Sequence, residues 1–225
     1  MKRKIMVFVL ILTGGYALGQ DQFKAIKFSL VGSPHLSWLK SDVKENETGP
    51  VFLGYNAGVE LDYFFEKNYG FSTGVSIEKT GGSLTYLDQQ VIHFNSGADT
   101  MAPGTKMTYQ LQYIDIPLAL KFTSAEVGYT TIFADVGLNC LINTKATATA
   151  TDNNYVKEPL TDEIPLFNIA YHLEAGILYS FGNNLSLIVA VEYRNTFLDL
   201  TKDLGAVVAD NTHINQVGLK LGLAF

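Results

Sequence analysis

The chain has 225 residues, 47% of them hydrophobic and 17% charged, with 16 Lys and Arg against 22 Asp and Glu for a formal net charge of −6. That hydrophobicity excludes an intrinsically disordered chain, and the acidic balance excludes a basic nucleic-acid-binding surface. A single cysteine, Cys140, excludes an intrachain disulfide framework and the common cysteine-rich zinc sites.

The N-terminus reads as a secretory leader. Lys2, Arg3 and Lys4 precede eight uninterrupted apolar residues at 5–12, and small residues then lead to Ala17-Leu18-Gly19, with cleavage expected before Gln20. A membrane-spanning helix needs about 20 apolar residues, far more than this run supplies. Residues 1–19 are therefore expected to be a signal peptide and residues 20–225 a single domain.

From there the period is two, the mark of strands with unlike faces. At 26–31, Ile26, Phe28 and Leu30 oppose Lys27 and Ser29. At 55–65, Tyr55, Ala57, Val59, Leu61, Tyr63 and Phe65 oppose Asn56, Gly58, Glu60 and Asp62. At 71–78, Phe71, Val75 and Ile77 oppose Ser72, Gly74, Ser76 and Glu78. The segment 107–122 is apolar on one parity at Met107, Tyr109, Leu111 and Tyr113, and on the other from Ile114 to Phe122. A bulge near Tyr113 would reconcile the two, since one extra residue swaps the faces. The pattern resumes at 132–142, 169–181, 185–194 and 217–225, making eight strands.

The connections alternate between tight turns, at 66–70, 123–128 and 182–184, and long polar stretches, at 40–50, 81–105, 146–166 and 199–212. Long loops at one end and short turns at the other suit an outer-membrane barrel. Aromatic residues mark two heights. Tyr63, Phe65, Phe71, Phe122, Tyr129, Tyr179, Phe181 and Phe225 sit beside the short turns, and Tyr86, Tyr109, Tyr113, Phe167 and Phe197 near the long loops. These are read as two interfacial girdles. The expected fold is all-β: an eight-stranded antiparallel up-and-down transmembrane barrel with apolar faces toward lipid and polar faces inside.

The segment Tyr113-Ile114-Asp115-Ile116-Pro117-Leu118-Ala119-Leu120-Lys121-Phe122 and the closing Gly218-Leu219-Lys220-Leu221-Gly222-Leu223-Ala224-Phe225 resemble the PorT-like outer-membrane barrel family of the Bacteroidota. The resemblance implies the barrel fold and an outer-membrane location, and says little about activity. The terminal Phe225, with Leu223, Leu221 and Leu219 at alternate positions, resembles the signal read by the barrel-assembly machinery. That machinery and outer-membrane lipid are the expected partners; an extracellular or envelope protein partner stays unspecified, and nucleic acid is not expected.

Motifs for chemistry are sparse. None of His35, His93, His172 and His213 is paired with another at metal-ligand spacing, so no metal or other cofactor is expected. Ser33, His35 and Ser37 share one face, as a nucleophile and base could, but no third orienting group accompanies them. Charge instead collects on the inward faces, where Glu60, Asp62, Glu78, Asp115, Asp135, Glu174 and Glu192 meet Lys27, Lys121, Arg194 and Lys220. Unpaired buried charge is costly, so these groups should pair. Counting from the short-turn ends places Asp135, Glu174, Glu192 and Lys220 in one band with Arg194 one inward position above, and an ion-pair cluster of Glu174, Glu192, Arg194 and Lys220, with Asp135 nearby, is expected to plug the lumen. The function so implied is non-enzymatic, structural or surface-binding, with long extracellular loops. A small-solute or ion pore is the first alternative, and a lipid-modifying enzyme using His35 or His172 the second.

Overall fold

Each strand of the alternating pattern leaves one polar face and two rows of backbone hydrogen-bonding groups, and only a closed sheet satisfies both in lipid. The computed structural model describes residues 26–44, 46–95, 97–151, 156–160, 163–182, 185–202 and 211–225. The expected leader at 1–19 lies outside these residues. The strands are β1 (Ile26–Ser41), β2 (Asn46–Thr48), β3 (Phe52–Glu66), β4 (Tyr69–Tyr86), β5 (Gln90–Phe94), β6 (Gly97–Met101), β7 (Thr105–Thr123), β8 (Thr130–Ala150), β9 (Glu158–Pro159), β10 (Phe167–Ser180), β11 (Ser186–Thr196) and β12 (Thr212–Ala224). Eight of them form the wall in the order β1-β3-β4-β7-β8-β10-β11-β12, all neighbours antiparallel, and β12 pairs with β1 to close it. Closure removes the edge strands that lipid would penalise.

The register climbs around the wall. Opposed residues traced from Lys121 pass Asp135, Glu174, Glu192, Gly218 and His35 to Gly54. The pairings Tyr55↔Lys79 and Thr80↔Leu111 then return the trace to β7 at Leu111, ten residues from where it began. That stagger tilts the strands and sets a bore just filled by side chains. The turn after β10 is tight: Gly182 takes φ 79°, a conformation that suits glycine, and Phe181 N donates to Leu185 O at 2.9 Å.

The lower wall has the expected faces. Ile26, Phe28, Leu30, Val59, Val75, Leu118, Val136, Leu173 and Val191 point outward and are exposed, while Ser29, Asp62, Glu78, Asp115, Asp135, Glu174 and Glu192 are buried inside. The short-turn girdle is present, with Tyr63, Phe65, Phe71, Phe122, Tyr129, Tyr179, Phe181 and Phe225 all exposed, and Tyr69 joins it. Rings touch along it, as in Phe65–Phe71 at 5.1 Å and Tyr179–Phe181 at 5.3 Å between centroids. At the other height Phe167 and Phe197 are exposed as expected, and Tyr171 packs between Phe197 and Tyr193.

The upper wall differs from expectation in three ways. First, β4 and β8 run well into the stretches read as loops, reaching Tyr86 and Ala150, while β7 begins at Thr105, close to its expected start. A separate two-stranded hairpin, β5–β6, folds within the longest connection. Second, Tyr86, Tyr109 and Tyr113 belong to no girdle: they are buried inside, at 7%, 1% and 1% exposure, and the Tyr86 and Tyr109 hydroxyls meet at 2.6 Å. Third, the bulge lies on β8. Gln112 opposes Lys145 while Tyr113 opposes Asn143, so Thr144 is the extra residue. Odd positions of β7 face inward along its whole length, and its apolar residues change parity because the medium outside changes from water to lipid.

The interior is therefore layered. At the short-turn end Val31, Phe133, Leu178, Ile188, Ala190 and Ala224 form an apolar floor. At the long-loop end a larger apolar core fills the mouth. Leu39, Leu84, Tyr86, Met107, Tyr109, Leu111 and Tyr113 come from the wall, and Ile92, Phe94, Met101, Leu160, Ile164 and Leu200 from the connections folded over it. The sequence-based expectation of a wholly polar interior missed both layers.

Candidate functional site

Between floor and mouth lies a polar band to which seven of the eight wall strands contribute a charged side chain and β1 contributes His35. Alternation aims each side chain inward, and the stagger brings together residues far apart in sequence. Arg194 on β11 is the centre. Its Nε and Nη2 donate to Glu192 Oε1 at 2.9 and 2.7 Å, and its Nη1 reaches Glu78 Oε2 at 2.7 Å and Asp115 Oδ2 at 3.0 Å. One guanidinium thus faces three carboxylates from three strands, which a planar five-donor group can do and an ammonium cannot match. Glu78, fully buried, also accepts from Gln216 Nε2 at 2.5 Å, and the same amide donates to Thr80 Oγ1 at 2.9 Å. Asp115 accepts from Asn139 Nδ2 at 2.9 and 3.1 Å and from Asn56 Nδ2 at 3.2 Å. Asn139 Oδ1 lies 2.6 Å from His172 Nδ1, closing the network on β10.

Below this tier, Lys220 Nζ sits between Glu60 at 2.7 Å and Glu174 at 2.5 Å. Lower again, Lys121 Nζ pairs with Asp62 at 2.9 Å and Asp135 at 3.4 Å, and Ser72 Oγ donates to Asp62 at 2.6 Å. Lys121 also lies 4.9 Å from the Phe133 ring centroid, which joins the lowest polar tier to the apolar floor.

Of the residues picked from sequence, the structure brings Arg194 to Glu192 and Lys220 to Glu174, with all four lining one cavity. Asp135 sits a tier lower, with Lys121 and Asp62, because it lies directly opposite Lys121 in register. Glu60, Glu78 and Asp115 are the carboxylate partners that the sequence reading left out of the cluster. The signal of the last two was present: Glu78 stands seven residues beyond Phe71 and Asp115 seven before Phe122, the same count that picked Glu174 from Phe181. Leu219, Leu221 and Leu223 face outward on β12, and they and Phe225 just beyond it are exposed.

Space in the band is slight. A cavity of about 20 Å³ is lined by residues including Asn56, Asp115, His172, Glu174, Arg194 and Lys220, and a second of about 10 Å³ lies beside Ser33, His35 and Gln216. These are water-sized. His35 Nε2 has no hydrogen-bond partner and lies 3.8 Å from Glu78, beside the smaller cavity, where a water would satisfy it. Ser37 Oγ is committed to the Gly81 carbonyl at 2.7 Å, and Ser33 and His35 are both buried in the band. Among the described residues no group of three or more His, Cys, Asp or Glu is arranged to hold a metal ion. The arrangement ties seven wall strands to one another across the lumen, with water-sized cavities between the side chains.

A closed eight-stranded wall with an apolar exterior, two aromatic girdles and a charged interior is the architecture of an outer-membrane barrel, and the sequence agrees: residues 18–201 match the family described as outer membrane protein beta-barrel domain. The chain belongs to that family. No curated protein sequence matches it. Among solved barrels it is similar to neisserial surface protein A, at 13% identity over 88% of this chain and 95% of that one, with a TM-score of 0.46. It is also similar to the attachment invasion locus protein Ail of Yersinia pestis, at 13% identity over 90% and 100%, TM-score 0.43. A third is the outer membrane protein OprG of Pseudomonas aeruginosa, at 12% identity over 89% and 96%, TM-score 0.47.

Proposed function

We propose that this member of the outer-membrane barrel family is a non-enzymatic, non-conducting barrel that acts at the cell surface through its exterior half, in a structural or surface-binding role. The observation that carries this reading is the stacking of the lumen: a charged band with water-sized cavities, held between an apolar floor and an apolar mouth. A permeating ion would have to cross both apolar layers and displace Arg194 or Lys220 from buried carboxylates, each a costly step. The same burial leaves His35 and His172 without room for a lipid substrate, which weighs against a lipid-modifying role. Within the family, the motif at 113–122 and the C-terminal segment support assignment to the PorT-like group. Residues 1–19 fit a cleaved leader that directs export of the chain across the inner membrane.

Planar-bilayer recording tests the reading. Wild-type protein is expected to give no steady conductance above the bilayer background. Reproducible open channels of the wild type would replace this reading with the pore.

A further inference from the structure

Outside the lumen, the protein carries a cationic strip on an otherwise acidic chain. The outward faces of β4, β7 and β8 hold Lys79, Lys106 and Lys145, and among the described residues they hold no carboxylate. Lys79 opposes Gln112, and Gln112 opposes Lys145, so the two lysines flank one amide across three neighbouring strands. With about 4.8 Å between strands, their backbones stand roughly 10 Å apart, within reach of one anion for two long side chains. Lys79, Gln112 and Lys145 are exposed, and among the described residues no ion pair engages either lysine.

The height of the strip is defined by what lies beneath it. Two residues down β4 and β7, and three down the bulged β8, Ile77, Ile114 and Ile142 form the last apolar row, with Ile77 and Ile114 at 53% and 37% exposure. Beside Lys79 across β3 stands the exposed Tyr55. The strip therefore sits at the boundary between hydrocarbon and headgroups on the long-loop side. The β8 bulge is what completes it. Odd residues of β8 face inward as far as Asn143, so an unbulged strand of this sequence would take Thr144 outward and point Lys145 into the apolar mouth. A bulge re-aims a side chain in this way at a cost in pairing. Glu47, the outward acid opposite Thr85, is six residues farther up β4, about 20 Å away.

We propose that Lys79, Gln112 and Lys145 form a docking site for the phosphate of a phosphorylated glycolipid in the outer leaflet. The ammonium groups supply charge, the Gln112 amide a neutral donor, and the isoleucine row beneath a surface for the acyl chains. An anionic headgroup at this height meets lysines without an acid competing for them, and a lysine near an anionic surface strengthens binding about fivefold. The proposal rests on the barrel's outer-membrane placement and is independent of whether the lumen conducts.

The test uses the full barrel in nanodiscs of phosphatidylethanolamine doped with a bisphosphorylated lipid A or with its dephosphorylated form, and counts retained glycolipid by native mass spectrometry. Wild type should retain the phosphorylated form preferentially. K79Q and K145Q should each lower that retention about fivefold and the double variant roughly thirty-fold, while Lys106→Gln, six residues up β7 from Gln112, leaves it near wild type. Heat-modifiable migration confirms that each variant is folded. Equal retention of both lipids by wild type, unchanged retention by the folded double variant, or displacement of the lipid by equimolar inorganic phosphate would overturn the assignment.

Discussion

The lipid-facing half of the barrel and its exterior half are built from the same strands with opposite polarity. On β4, Ile77 faces lipid and Glu78 the lumen, whereas six to eight residues later Leu84 and Tyr86 are the buried side chains. On β7, Asp115 and Lys121 point inward below, and Met107, Tyr109 and Leu111 point inward above. Nothing in the backbone of β7 changes between them. Below the girdle the outside is hydrocarbon, so apolar groups cost nothing there and polar groups retreat inward to pair. Above it the outside is water, and the hydrophobic effect packs the interior as in a soluble domain. Where a strand meets the boundary thus decides which parity is apolar.

The largest effect should come from the core of the lower half. Arg194→Met leaves Glu78, Glu192 and Asp115 facing one another without their shared cation, and should lower the free energy of unfolding by about 3–5 kcal/mol. Urea unfolding in lipid vesicles measures it, and Glu78→Gln added to that variant should recover part of the loss by removing one uncompensated charge. Tolerance of Arg194→Met within 1 kcal/mol would mean that the band is wetter than its cavities indicate.

A paired substitution addresses the contrast directly. Val136 and Thr108 both point outward, the first amid the apolar belt and the second above Gln112. Val136→Arg should cost about 2–4 kcal/mol, and Thr108→Arg should stay within about 0.5 kcal/mol. Equal costs in the same refolding assay would erase the boundary placed between Ile114 and Gln112.

The smallest effect concerns the exterior rim, where Asp42 accepts from Asn211 N at 2.8 Å and from its Nδ2 at 3.3 Å, joining the end of β1 to the start of β12. Those donors hold the Asp42 carboxyl below its usual range. A carboxyl with a lowered folded pKa stabilises above its unfolded value, near 4, and loses that contribution as pH falls through the folded one. Amide exchange at Asn211 should therefore be protected at neutral pH and lose protection below about pH 4, and Asp42→Asn should remove the pH dependence.

Much of the lower half was legible in the sequence because two-residue periodicity is an intrinsic property of a strand between unlike media. The exposed Val59, Val136 and Leu221 and the buried Asp62, Asp135 and Glu174 could be sorted by parity alone. The upper half was not legible, for complementary reasons on two strands. On β7 a change of parity was read as a bulge, although the backbone there is regular and only the solvent changes. On β8 apolar and small residues keep one parity from Ile132 to Ala150, so the sequence looks regular where the backbone is bulged at Thr144. Parity reports the product of face and medium, and one string cannot separate the two factors.

Left to itself, the sequence determined the closed all-β architecture, the sign of each face in the membrane and the residues able to carry buried charge, since each follows from local alternation and from the cost of unpaired polar groups. Tertiary structure alone decided which charges meet. The ten-residue stagger carries Glu78 and Asp115 to Arg194 and sends Asp135 down to Lys121, and one bulge turns Lys145 outward beside Gln112. Stagger and bulge are relations between strands, set when the sheet closes on itself, and no single strand records them.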